Sequence, residues 1–158
     1  RAVNDLQVTL APGAAMLGWD LLALGLPAAG APFAAGHFDQ RIAIDGLWLE
    51  QARIDASDRL LLDSPLGLAG QRAQATAWLA WGSDPAEARV TQAIEGARAL
   101  IEASGLFAGV TRAQPRLIVL RALAGPTEPL FHLLRAVRGA WREAAWDLPA
   151  AEPRVWHT

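Results

Sequence analysis

HFDQRIAIDGLWLEQARI, residues 37–54, alternates as a β-hairpin does and carries Asp45-Gly46 at its centre. Asp-Gly suits a two-residue type I′ turn, in which both central residues need positive φ. Folding there sets Ile44 against Leu47, Ile42 against Leu49, Gln40 against Gln51 and Phe38 against Arg53. Directly opposed residues share a face, so Phe38, Ile42, Ile44, Leu47 and Leu49 form one apolar surface. The other face then carries Asp39, Ala43, Trp48 and Ala52, with Arg41 opposite Glu50 as a cross-strand ion pair. A slip of one residue would turn the apolar set outward.

Upstream, residues 3–10 alternate at Leu6, Val8 and Leu10 and read as a half-buried strand. Ala11-Pro12-Gly13-Ala14 has Pro and Gly at the central positions of a type II turn. Residues 16–24 are more continuously apolar, a strand covered on both faces, and residues 25–35 are a Gly/Pro/Ala loop. Downstream, residues 74–81 (QATAWLAW) read as a strand with Thr76, Trp78 and Ala80 on one face and Ala77, Leu79 and Trp81 on the other. The period then changes. Asp84-Pro85 starts a helix over 85–103 with Asp84 as N-cap, and Ser104-Gly105 ends it. Strands over 107–111 and 117–123 follow, then a second helix capped by Thr127. Its inner stripe is Leu130, Leu133, Leu134, Val137, Ala140, Trp141 and Ala144, and its outer face carries Arg135, Arg138 and Arg142. The class is α+β, mainly β.

The totals narrow the function. The 158 residues fit one domain, and 53% hydrophobic content opposes disorder. No apolar run approaches the roughly 20 residues that span a bilayer. A net charge of −2 with interspersed signs gives no footprint for nucleic acid. The absence of cysteine removes thiolate metal sites and thiol nucleophiles, and fits a reducing compartment. The chain opens on Arg1 rather than Met, and is expected to be part of a longer protein.

Chemistry has few footholds. His37, His132 and His157 lack every spacing of a preformed metal site. His37 and Asp39 offer two ligands on one strand face, with Glu50 expected on the same hairpin face as Asp39. Asp55, Ser57 and Asp58 read as turn caps, and no serine lies in a GxSxG context. Trp156, beside Arg154 in a polar tail, either docks onto its own domain or anchors a partner, since Trp and Arg dominate interface hot spots.

Three stretches carry a family resemblance: VTLAPGAAMLGWDLLALGLPAAGAPF (residues 8–33), RIAIDGLWLEQARID (41–55) and LIVLRALAGPTEPLFHLLRAVRGAWREA (117–144), closed by PRVWHT. In this order they resemble the urease accessory protein UreD, also called UreH. The resemblance implies that residues 1–158 are one partial UreD-like domain whose N-terminal strands are missing. It also implies a β-helix-like stack of sheets with two helices in the C-terminal half. The implied function is a non-catalytic cytoplasmic scaffold acting with UreF and the GTPase UreG on urease apoprotein. Nickel would pass through an internal water-filled tunnel, with Ni²⁺ in transit and no tightly bound cofactor. His37, Asp39 and Glu50 are the candidate transit residues, and Arg154 and Trp156 the candidate partner contacts. The alternative is a small β-fold ligand-binding module or enzyme built on the APGA turn, a closed barrel with a pocket grouping His37 with two carboxylates.

Overall fold

The computed structural model describes residues 1–26, 29–153 and 156. Its strands are β1 (Ala2–Val8), β2 (Ala15–Ala23), the short β3 (Gly25–Leu26) and β4 (Ala31–Pro32), β5 (His37–Ile44), β6 (Trp48–Asp55), β7 (Ala73–Trp81), β8 (Phe107–Gln114) and β9 (Leu117–Ala124). The helices are α1 (Arg59–Asp63), α2 (Glu87–Ser104) and α3 (Glu128–Trp146). The class is α+β and mainly β, as the sequence implies, with α1 an addition to the two expected helices.

Three layers result. The first sheet has the order β1-β5-β6, with β1 parallel to β5 and β6 antiparallel. The second, β2-β7-β9-β8, is antiparallel throughout, and neither sheet closes on itself. The helices α2 and α3 pack on each other and cover one face of the second sheet. That core includes Leu79, Leu120, Leu130, Leu134 and Trp141, the last donating its indole N–H to Ala93 O at 3.1 Å. The opposite face of the second sheet meets the first sheet through Ile42, Ile44, Trp78, Leu117 and Val119. The faces of β7 divide as its alternation predicts.

The hairpin forms, but its register differs from the expected one. Only Gly46 has positive φ (+66°), so the turn is not type I′. Leu47 N–H closes the turn on Ile44 O at 2.9 Å, and pairing resumes at Ile44 with Trp48. The loop therefore holds three residues rather than two, and every opposed pair shifts by one. Ile42 faces Glu50, and Leu49 points to solvent at 60% exposure. Arg41 opposes Gln51 and bonds Asp5 at 3.1 Å instead of Glu50. The type II turn at Pro12-Gly13 is present, with Gly13 at φ +79° and Ala14 N–H bonded to Ala11 O at 3.0 Å.

Helix starts also differ. α2 begins at Glu87 with Ala86 as N-cap, so Asp84 does not cap it. Thr127 occupies the N-cap of α3 without a side-chain bond. The one side-chain cap of the three is on α1, where Asp58 accepts from Leu61 N–H at 2.9 Å.

Candidate functional site

Where the two sheets stack, each strand sends alternate side chains inward. Most are apolar, but one row across the second sheet is not. Register places Asp20 of β2 beside Thr76 of β7, Thr76 beside Arg121 of β9, and Arg121 beside Gly109 of β8. Three strand spacings make this row about 14 Å long.

The first sheet answers with polar groups of its own. Asn4 Nδ2 donates to Asp20 Oδ1 at 2.8 Å, and Gln40 Nε2 donates to Asp20 Oδ2 at 2.7 Å. Gln40 is 4% exposed and Thr76 7%. Burial pushes the Asp20 carboxyl above its ordinary value, while the bonds from Gln40 and Asn4 pull it back down. Both groups that bond this carboxylate are neutral amides.

At the other end Glu50 of β6 reaches across to Arg121 in an ion pair that bridges the sheets. Its side chain is 15% exposed, against 64% for Arg121. The pair borders a cleft of about 420 Å³ lined also by Gln74, Thr76, Gly109 and Leu123. Thr76 thus pairs with Asp20 across the strands and also lines the cleft. The row is a polar lane running from the half-buried Asp20 to the exposed Arg121 across a mostly apolar sheet face, with one carboxylate held by amides and one by a guanidinium.

His37 and Asp39 lie elsewhere. The alternation of β5 puts them on the outer face of the first sheet, opposite to Glu50, so the expected shared face of Asp39 and Glu50 is corrected by the register shift. His37 Nε2 is 3.5 Å from Asp39 Oδ2. Asp39 also takes Arg53 Nε at 2.5 Å and Arg1 Nε at 3.1 Å. The Arg53 bond above all holds its carboxyl below the usual range.

Among the described residues no group of three or more His, Cys, Asp or Glu is arranged to hold a metal ion. The lane's potential ligands are carboxylate, amide and hydroxyl oxygens, few in number and without the imidazole that suits Ni²⁺ and Zn²⁺. The serines serve turns: Ser57 bonds Asp55, Ser104 bonds Ile101 O, and Ser83 and Ser64 accept backbone N–H groups. Asp55 caps its turn as expected, whereas Asp58, also expected at a turn, caps the helix α1. The barrel required by the ligand-binding alternative is not formed, since the sheets are open.

Trp156 docks on its own domain, its ring 5.3 Å from that of Trp19 and 5.7 Å from that of Phe131. Arg154 lies outside the described residues. Asn4, Asp20, Gln40 and Arg121 are functional candidates that sequence reasoning missed. A carboxylate inside an otherwise apolar strand was the available signal for Asp20.

A family model described as UreD urease accessory protein matches residues 1–157. The chain is 53% identical over 159 residues to a urease accessory protein UreD of Leptothrix cholodnii, covering 99% of this chain and 57% of that protein. It is 51% identical to the UreD of Polaromonas naphthalenivorans, covering 98% of this chain and 57% of the relative. The UreD of Verminephrobacter eiseniae is also 51% identical, over 99% of this chain and 57% of its own length. The chain therefore spans little more than half the length of these relatives, matching their C-terminal part.

Proposed function

This chain belongs to the UreD family of urease accessory proteins, and from that membership we propose that it serves urease maturation as a non-catalytic scaffold. In this reading it works in the cytoplasm with UreF, UreG and urease apoprotein, and its cargo is Ni²⁺ on the way to the urease active site. The observation that carries the reading is the polar lane between the sheets. Asp20 and Glu50 supply carboxylates some strands apart, and Thr76, Asn4 and Gln40 supply neutral oxygens and amides between them.

The physical requirement for a conduit is a ladder of weak sites. A cation must find enough favourable contact to enter and too little to stay. One carboxylate per station meets that requirement, whereas a cage of three imidazoles or carboxylates would hold the ion. Glu50 is the transit candidate on this lane, and Arg121 is the counter-charge a passing cation would have to displace. His37 and Asp39 form a separate outer-face pair beneath two guanidiniums, and their contribution is a second, independent part of the proposal.

Membership also supports a larger architecture. The chain passes from β1 to the second sheet and returns as β5 beside and parallel to β1. We propose that this is one turn of a longer β-helix-like winding in which residues 1–158 form part of a single domain.

The test uses the protein at its relatives' full length, in cells whose urease depends on it. Capture of UreF-type and urease subunits is expected, and a chain that captures neither would end the reading. Glu50→Ala is expected to lower nickel-dependent activation at least several-fold without loss of partner capture. A paired His37→Ala/Asp39→Ala variant tests the outer face separately. Unchanged activation in both variants would remove nickel transit while leaving the scaffold intact.

A further inference from the structure

The outer face of α3, which its three arginines mark as a solvated surface, is covered. After Asp147, which turns the chain at φ +55°, residues 148–153 run back along the helix. Arg142 Nε donates to Pro149 O at 3.3 Å, and Arg138 Nη1 donates to Ala151 O at 2.7 Å. Arg135 grips Glu152 through Nε at 2.8 Å and through Nη2. Gly139 lies beneath, where a Cβ would fall 2.9 Å from that of Ala150. Trp156 ends the run against Phe131 and Trp19, with the Arg138 guanidinium 5.1 Å from its ring.

Two observations separate this tail from the body of the fold. The helix beneath it already buries its stripe against the second sheet, and residues 149–152 are exposed. The trench is also more positive than the strand it holds: three guanidiniums face a stretch, residues 148–153, with one carboxylate side chain, and Arg138 and Arg142 donate to backbone carbonyls. A carboxylate adds to a guanidinium bond an opposite charge and a bidentate geometry that a backbone carbonyl lacks.

We infer that this trench is a docking site for an extended segment of a protein partner, one carrying an aromatic ring and at least two carboxylates at the spacing of the tail. The tail is its resident placeholder. Trench and occupant have the composition of an interface hot spot, aromatic rings with arginine. A tethered tail competes at an effective concentration on the order of millimolar, so a partner displaces it only by better charge complementarity.

The probe is a synthetic peptide of residues 148–158 carrying Ala151→Glu, with the unsubstituted peptide beside it. The chain is labelled with ¹⁵N at tryptophan. The indole signal of Trp19 is expected to move saturably, while that of Trp141, bonded to Ala93, stays. The acidic peptide is expected to bind at least tenfold more tightly than the unsubstituted one. A Trp156→Ala chain, its strap loosened, is expected to gain at least tenfold in affinity. Should that variant fail to fold, Arg142→Ala carries the test, with the preference for the acidic peptide expected to shrink. No movement of Trp19 with either peptide would make the tail a fixed part of the fold and overturn the inference. Equal affinity for the two peptides would overturn the charge argument. Concentration-dependent dimerisation that the unsubstituted peptide abolishes would identify the occupant as a second copy and overturn the assignment to a partner.

Discussion

Asp20 and Gly18 are two residues apart on β2 and face the same inter-sheet space, with opposite demands. The Trp78 ring lies on Gly18 so closely that a Cβ there would fall 2.5 Å from it. The buried indole N–H of Trp78 has no acceptor among the described residues. Gly18→Ala must displace this ring, which already packs against Trp48 at 5.7 Å between centroids. We expect a loss of about 1–3 kcal/mol in urea unfolding, as overpacked cores show. Asp20 should reveal itself through pH. Its raised folded-state value means that the fold binds this proton more tightly than the unfolded chain does. Its stabilising contribution is thus full below pH 3.8 and lost as pH rises through the raised value. The melting temperature of Asp20→Asn relative to the parent should therefore climb with pH across that window. Parallel curves would show that Asp20 does not titrate in the fold. Asp39 has the opposite sign, its lowered value giving a contribution present above pH 3.8 and lost as pH falls through the lowered value.

At the scale of elements, periodicity carried most of what could be read. The strands β5, β7 and β9 and both long helices lie where their alternation or 3.6-residue stripe puts them, because burial enforces those periods, whereas β6 keeps its span but turns Leu49 to solvent and Trp48 and Glu50 inward. Two kinds of feature escaped. One is register. Asp-Gly fits a two-residue loop, but a three-residue loop with positive φ at Gly46 alone serves better here. There the turn is tied to β1: Asp45 N–H bonds Val8 O at 2.9 Å, and its carboxylate accepts from Thr9 Oγ1 at 2.5 Å and from Gln7. Such tertiary ties cannot be seen from the hairpin's own residues. The other is the lane, whose polar members come from six strands, β1, β2, β5, β6, β7 and β9, so no local motif announces them. Gly46→Ala should cost about 1–2 kcal/mol, the penalty for a Cβ in the left-handed region, measured by thermal unfolding. Asp58→Ala should remove about 1 kcal/mol with the α1 cap, and an unchanged midpoint would show that α1 does not depend on it.

For the molecule as a whole, the bond between Glu50 and Arg121 is a strut between the two sheets as well as the closed end of the lane. Arg121→Ala leaves a largely buried carboxylate without its partner, a change worth about 1–3 kcal/mol. The double variant Glu50→Ala/Arg121→Ala should recover part of that loss, and strict additivity in the cycle would mean that the two side chains are not coupled. No helix of the described residues is long and apolar enough to cross a membrane. The parallel pairing of β1 with β5 has a consequence in time. Val8 cannot find its partner Ile44 until 36 further residues have been made. At roughly 5–20 residues per second, β1 waits about 2–7 s after it leaves the ribosome. The hairpin β5–β6 closes on itself within microseconds once complete. The later hairpin is thus the template and the earlier strand the recruit, and β2, whose partners on β7 lie 50 to 66 residues further on, waits longer still.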